Sequence, residues 1–216
     1  MDIVNPPRRA YRSPLRATAA QQTRQTMVAA ATQLFLERGY AGTPLTAIAE
    51  QAGVARPTVF ATFGSKAALL KEAVDQALAG DDEDVPVAQR PWFTPVWEAT
   101  TPADVLRAYA HVCTLIGARA AGLFDVVRSA AHESVEAHDL WTTLQANRRA
   151  GAATVVDHVL RMGPVLSPEL TRERAIDLLW LLNDPAHHLA LVWHCGWDEK
   201  EFSTWLAQQM ISNLTA

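Results

Sequence analysis

The chain of 216 residues has only two cysteines, Cys113 and Cys195, with no CxxC or other metal or redox spacing. A disulfide framework, a zinc finger and a thioredoxin-like motif are thereby excluded, and both thiols are expected to be reduced and buried. No stretch approaches the ~18 consecutive uncharged apolar residues of a membrane span. The first 25 residues carry arginines and prolines without a continuous apolar run, so no secretory leader is expected and a cytoplasmic protein without a membrane partner is. Strand-like alternation and internal repeats are missing. So are GxSxG, HExxH and GxxxxGK[ST], and no catalytic residue, metal ligand or cofactor is expected. His111 beside Cys113 is a chance pairing. His187 and His194 share a helix face but stand two turns apart, too far for one ion. With 49% apolar and 19% charged residues, whole-chain disorder, collagen and coiled coil are excluded too.

The residues present divide by position. Residues 1–72 hold nine Lys/Arg against four acids, a surplus of five positive charges, while the remainder carries ten against nineteen. A basic module joined to an acidic one suits a chain of which one end meets a polyanion. Residues 1–16 contain three prolines and four arginines (Arg8, Arg9, Arg12, Arg16) without periodicity, which predicts a flexible arm.

From Thr23, the apolar residues Met27, Ala30, Ala31, Leu34 and Phe35 recur at helical spacing, and Gly39 marks the stop. Thr43 as a cap and Pro44 at the first turn open a second short helix carrying Leu45, Ile48, Ala49 and Ala52. Gly53 and Val54 form a tight break before a third helix, Arg56 to Phe63, whose Val59 and Phe63 face inward. Ser65 caps a fourth that ends at Gly80. Asp81 to Asp84 reads as a solvated linker. Beyond it the periodicity predicts helices near 102–118, 121–131, 133–162, 168–194 and 198–214. Ser167 and Pro168 open the fourth of these and Pro185 kinks it near Leu181 to Asp184. Gly196 closes it, and Asp198 with Glu201 has capping-box spacing, with Trp197 and Phe202 as its hydrophobic staple.

Two short helices joined by a glycine-containing turn describe a helix-turn-helix, whose second helix fits the DNA major groove. The segment Ala29 to Val74 resembles the DNA-binding region of the TetR (tetracycline-repressor-like) family of bacterial transcription regulators. The elements LF-x-E-x-GY, T-x-x-x-x-IA-x-x-AGV, P-T-V-F-x-x-F and SK-x-x-LL fall in that family's order and spacing. The tail LLWLLNDPAHHLALVWHCGWDEKEFSTWLAQQM resembles, more loosely, the family's final helix pair, while residues 85 to 165 match nothing specific. The resemblance implies an all-α fold: an N-terminal three-helix DNA-binding domain joined to a helical bundle that binds an effector and forms a homodimer through its last two helices.

Chemistry and resemblance together select the DNA contacts. Arg56 suits a bidentate pair to guanine, and Pro57, Thr58 and Ala61 suit a thymine methyl. Thr43, Thr46, Thr62 and Lys66 suit phosphate oxygens, with helix capping as the rival role of the threonines. Family members often place Ser before the recognition helix and Tyr within it. Here Ala55 and Phe60 stand there, which removes one cap and one phosphate-binding hydroxyl and predicts a weaker backbone grip unless the arginine arm compensates.

All seven tryptophans and all seven histidines lie after residue 84. That aromatic weight suits a pocket for a small apolar or aromatic effector, with Tyr109, Phe124, Trp141, Leu144 and Trp180 as its candidates. Trp193, Trp197 and Trp205 are assigned to core and dimer packing. The expected organisation is an arm over 1–22, the DNA-binding domain over 23–66, a connecting helix and linker over 67–84, and the effector domain over 85–216. The expected function is a ligand-released repressor on a pseudo-palindromic operator. The alternative is a helical ligand-binding protein with only non-specific DNA affinity.

Overall fold

The computed structural model describes residues 14–163 and 166–215. Among them the only non-helical pairing is one antiparallel bridge between Leu166 and Thr215. Four helices build the head: α1 (Pro14–Arg38), α2 (Leu45–Gln51), α3 (Arg56–Phe63) and α4 (Lys66–Ala79). α1 begins well before Thr23, inside the segment expected to be a flexible arm. Proline is tolerated in a first helical turn, and no glycine or further proline interrupts the helix beyond it. The rest of that arm, residues 1–13 with Arg8, Arg9 and Arg12, lies outside the described residues.

The body comprises α5 (Thr94–Glu98), α6 (Pro102–Ala130), α7 (Val135–Leu160), α8 (Arg172–Leu182), α9 (Pro185–His188), a π-helical turn (Leu189–His194) and α10 (Glu199–Leu214). Short polar side chains cap the starts of α6 to α10. Thr101 accepts from the Asp104 amide at 3.2 Å, Ser134 from Ala137 at 3.4 Å, and Asp198 from Glu201 at 2.7 Å.

Packing corrects several expectations. First, α6 is continuous where two helices were expected, because its glycines are close contacts rather than breaks. A Cβ at Gly117 would lie 2.7 Å from the His188 side chain, and one at Gly122 2.7 Å from Leu36 Cδ2. Second, α8 starts at Arg172, capped by Thr171, instead of at Pro168. Ser167 is used elsewhere: its amide donates to the Leu214 carbonyl at 3.2 Å and its hydroxyl to the Thr215 carbonyl at 3.2 Å, tying down the C-terminal end. Third, Pro185 divides its helix outright, since Asp184 accepts from the Ala186 amide at 2.9 Å and recaps the chain as α9. Fourth, residues 81–84 are solvent-exposed, as expected of a linker, but are held in place. Arg90, 3% exposed, lies beneath them and donates to the Asp81 carboxylate at 2.7 and 2.6 Å and to the Glu83 and Val85 carbonyls at 2.7 and 2.9 Å. Asp82 meanwhile accepts from the α1 residues Gln21 and Gln25 at 2.5 and 2.6 Å. Fifth, Cys195 is exposed where the π-helical turn ends, while Cys113 is half-buried on α6; both are free thiols. α5 had no counterpart among the expected helices.

Apolar burial makes two clusters. The first joins Met27, Leu34 and Phe35 of α1, Ile48 of α2, Val59 of α3 and Leu69, Leu70 and Val74 of α4 to Leu123, Phe124 and Val127 of α6 and Leu144 of α7. The second fills the body between α5, α6, α7, α8 and α10, around Val105, Leu106, Val156, Leu179, Phe202, Leu206 and Met210. Ile116 of α6 packs against both. Serving both cores explains why α6 is the one described helix long and apolar enough to cross a membrane, with a mean hydropathy of 1.4 over its most apolar window, half of that window being buried inside the protein.

Candidate nucleic-acid interface and internal cavity

α2 and α3 are joined by a turn at Gly53, whose φ of +66° a Cβ would strain. Pro57 in the first turn and Gly64 after the last residue delimit α3. Its inner side is fixed by Val59, fully buried, with Phe63 packed against the same core. Helical periodicity then turns Pro57 and Ala61 to the opposite side and Phe60 to the flank, while Arg56 shares the row of Val59 but clears the core as the first residue of the helix; these four and Thr58 are exposed. Phe60 is 61% exposed. An eight-residue helix thus offers one guanidinium and several small or apolar groups to solvent.

The expected phosphate contacts separate. Thr46 is exposed on α2. Thr43 is buried and not presented at the surface: it is 0% exposed, and its hydroxyl proton is shared between the Leu34 and Gly39 carbonyls at 3.0 and 2.8 Å. It closes the end of α1 instead, and it does not cap α2, whose first turn has no side-chain cap. The Thr62 hydroxyl donates to the Thr58 carbonyl at 2.8 Å, so its one proton is engaged within α3. Lys66 donates to the Tyr40 carbonyl at 2.7 Å with its ammonium 4.0 Å from the centre of the Tyr40 ring, and burial holds its pKa below the usual lysine value against the opposing pull of Glu133. On the other side of the head, Arg24 pairs with Glu72 at 2.7 Å and lies 4.6 Å over the Phe63 ring. That pair, which sequence periodicity did not single out, braces α1 against the end of α3 and α4.

Between the end of α4, the linker and helices α6 and α7 lies a cavity of about 520 Å³, inside the range of small-molecule sites. Three of the five expected lining residues are there: Tyr109, Phe124 and Leu144. Trp141 is not; its ring packs edge-on against Phe124 from the head side, at 6.5 Å. Nor is Trp180, which lies beside Arg148 in the body core. Both are amphipathic rings on helices that face another helix at those positions, and single-residue periodicity does not separate a core face from a cavity face.

Sequence reasoning missed the polar end of this cavity, since it joins residues far apart in the chain. Arg148 of α7 donates to Asn183 Oδ1 at 3.0 Å and to the Trp180 carbonyl at 2.8 Å, and pairs with Asp184 at 2.9 Å. Asn183 donates to the Tyr109 hydroxyl at 2.9 Å. Burial raises the pKa of Tyr109 and pushes the Cys113 thiol up to about 12, so Cys113 is no activated nucleophile. Leu78 and Ala79 of α4, Trp97 of α5 and Val85 to Ala88 of the linker complete the walls. Among the described residues no three His, Cys, Asp or Glu side chains group as metal ligands.

Comparison with known proteins bears on both regions. Residues 27–73 match the family described as bacterial regulatory proteins, tetR family. The fold resembles the transcriptional regulator FadR from Bacillus subtilis, solved in complex with stearoyl-CoA, at 17% identity and a TM-score of 0.69, covering 87% of this chain and 97% of that one. A transcriptional regulator from Saccharomonospora viridis in complex with choline gives 15% identity and a TM-score of 0.69, covering 91% and 99%. The ketosteroid transcriptional regulator KstR2 of Mycobacterium tuberculosis gives 15% identity and a TM-score of 0.61, covering 89% and 95%. No curated protein sequence matches the chain significantly.

Proposed function

We propose that this chain, which belongs to the tetR family of bacterial regulatory proteins, is a homodimeric, ligand-released repressor that reads a pseudo-palindromic operator. The observation that carries the reading is the outward face of α3, where Arg56, Pro57, Thr58, Phe60 and Ala61 stand exposed while Val59 locks the helix to the head. Arg56 pairs with a guanine edge, the apolar groups meet thymine methyls, and Thr46, Lys66 and, on releasing the Thr58 carbonyl, Thr62 set the register on phosphates. Two copies related by a two-fold axis bring their α3 helices into successive major grooves about 34 to 36 Å apart.

The dimer forms through the segment from α8 to α10, where Leu181 and Trp193 are 56% and 55% exposed. Exposed large apolar groups of this kind suit a covered surface. The cavity takes the effector, as the FadR and Saccharomonospora proteins take stearoyl-CoA and choline. α4 links the two functions, because Leu69, Leu70 and Val74 belong to the head's core while Leu78 and Ala79 line the cavity. An effector then needs only a few kcal/mol of preference for one head spacing over the other.

Selection of genomic DNA fragments by the purified full chain at about 150 mM salt tests this reading, because lower salt exaggerates non-specific binding. Recovery of one inverted repeat, weakened by Arg56→Ala, supports it. Ala55, which gives α3 no side-chain cap, together with Phe60 favours a second reading, a ligand-binding protein with sequence-blind DNA affinity. Salt-sensitive retention without any shared sequence would select that one instead.

A further inference from the structure

One wall of the cavity differs from the others in how it is held. Glu83, Asp84, Val85, Pro86, Val87 and Ala88 line the space, yet no residue from 81 to 89 is buried. Hydrogen bonds fix the segment instead. Arg90 holds its middle through the Glu83 and Val85 carbonyls, and the Trp97 indole Nε1–H donates to the Ala88 carbonyl at 2.8 Å. Trp97 is itself part of the lining and stacks on Phe93 at 4.9 Å. At the other end the Asp82 carboxylate accepts from Gln21 and Gln25 of α1. A segment with exposed hydrogen bonds and no apolar burial belongs to the least stable parts of a fold, so this is the wall that yields first.

No residue from 18 to 26 is buried either, so this half of α1 has no core of its own and is placed by surface contacts. Gln21, Arg24 and Gln25 share one helix face by their spacing of three and four residues. Arg24 pairs with Glu72 at 2.7 Å and covers the Phe63 ring at the end of α3. Asp82 therefore grips α1 on the face that braces the proposed reading helix. We infer that residues 81–89 form a strap that passes a displacement of the cavity wall to the first half of α1 through Asp82, and from there through Arg24 to α3. An occupant that pushes the wall outward draws Asp82 off Gln21 and Gln25 and loosens that brace, a second route to the head beside α4. This rests on the cavity being the effector site.

Hydrogen exchange on the full chain, resolved by residue and read relative to the core amides of Val155 and Val156, tests the coupling without DNA or effector. Trp97→Phe keeps an aromatic ring against Phe93 and loses the indole N–H. It should speed exchange of the Gln89 and Arg90 amides, which donate to the Pro86 and Val87 carbonyls, by about fivefold, the size of one hydrogen bond. The amides of residues 18–26 should quicken with them by a smaller factor, since Arg24 still holds Glu72. In Asp82→Ala those α1 amides should already be fast, and adding Trp97→Phe should leave them unchanged while Gln89 and Arg90 accelerate further. If Trp97→Phe does not fold, Asp82→Ala alone decides, because coupling is reciprocal: removing this exposed carboxylate should speed Gln89 and Arg90 as well. Acceleration confined to the strap in Trp97→Phe, or confined to α1 in Asp82→Ala, would overturn the coupling. So would an α1 acceleration by Trp97→Phe that persists in full in the double variant, and no acceleration in either segment would overturn the strap itself. Since neither DNA nor effector enters, failure here leaves the operator reading standing, and failure to select an operator leaves the coupling standing.

Discussion

The head and the cavity are built from the same materials, apolar helix faces and a few polar side chains, but at different distances along the chain. Every residue proposed for the head's DNA-facing side falls between Thr46 and Lys66, on α2, α3 and the first residue of α4, whose caps and turns are local. The cavity collects Leu78, Val87, Trp97, Tyr109, Phe124, Arg148 and Asn183 from α4, the linker, α5, α6, α7 and the end of α8. A local site is specified by spacing, and a composite one by how long helices cross. The head also shares its core with α6 and α7, so the two regions differ in legibility without being mechanically separate.

The shared core carries the largest expected effect. Phe35, fully buried in it, should cost about 3–5 kcal/mol when changed to alanine. Thermal unfolding should remain one transition at a lower temperature. A head that melts separately from an unshifted body would break the mechanical link. Next, Arg56→Ala should weaken specific binding by about 1–3 kcal/mol with an unchanged melting temperature, since the side chain is exposed. An equal loss on unrelated DNA would demote Arg56 to a phosphate contact. Thr43→Val should lower stability by about 1 kcal/mol by removing a donor from two carbonyls, and leave the salt dependence of binding alone. A shallower salt slope in that variant would restore Thr43 to the interface. Ala55→Ser should raise stability by about 0.5–1 kcal/mol if the new hydroxyl caps α3, measurable by denaturant unfolding.

The smallest effect concerns pH. Burial lowers the pKa of His188 below the ordinary histidine value, with Glu199 opposing, and its ring has no hydrogen-bond partner against Gly117 and Phe202. The unfolded chain then binds the proton more readily than the folded one, so stability is full above the ordinary histidine pKa, about 6.5, and falls as pH drops below it. His188→Leu should flatten that fall. Part of the slope should persist through His158, whose pKa desolvation and then Arg161 also lower.

α2 and α3 are legible in the sequence because their signals lie within a turn or two of each residue: Pro44, Gly53, Pro57, Gly64 and Ser65. Thr43 misleads, since its residue type caps helices and also closes buried turns; only the fold shows that its hydroxyl points back to Leu34. The glycines of α6 look like breaks but serve tertiary contacts with Leu36 and His188. The tether of the exposed acidic run 81–84 is hidden because its partner, Arg90, comes after an irregular stretch and one short turn. Arg148 has no local signal at all, standing among other polar residues on α7 and acquiring its role from Asn183 and Asp184 across a helix crossing.

The central claim is that α3 reads sequence. Its most direct test is the affinity of the full chain for the selected inverted repeat against a scrambled fragment of equal length, at about 150 mM salt. A ratio on the order of a thousand or more, reduced by Arg56→Ala, is predicted. A ratio near one, unchanged by that substitution, would contradict the account.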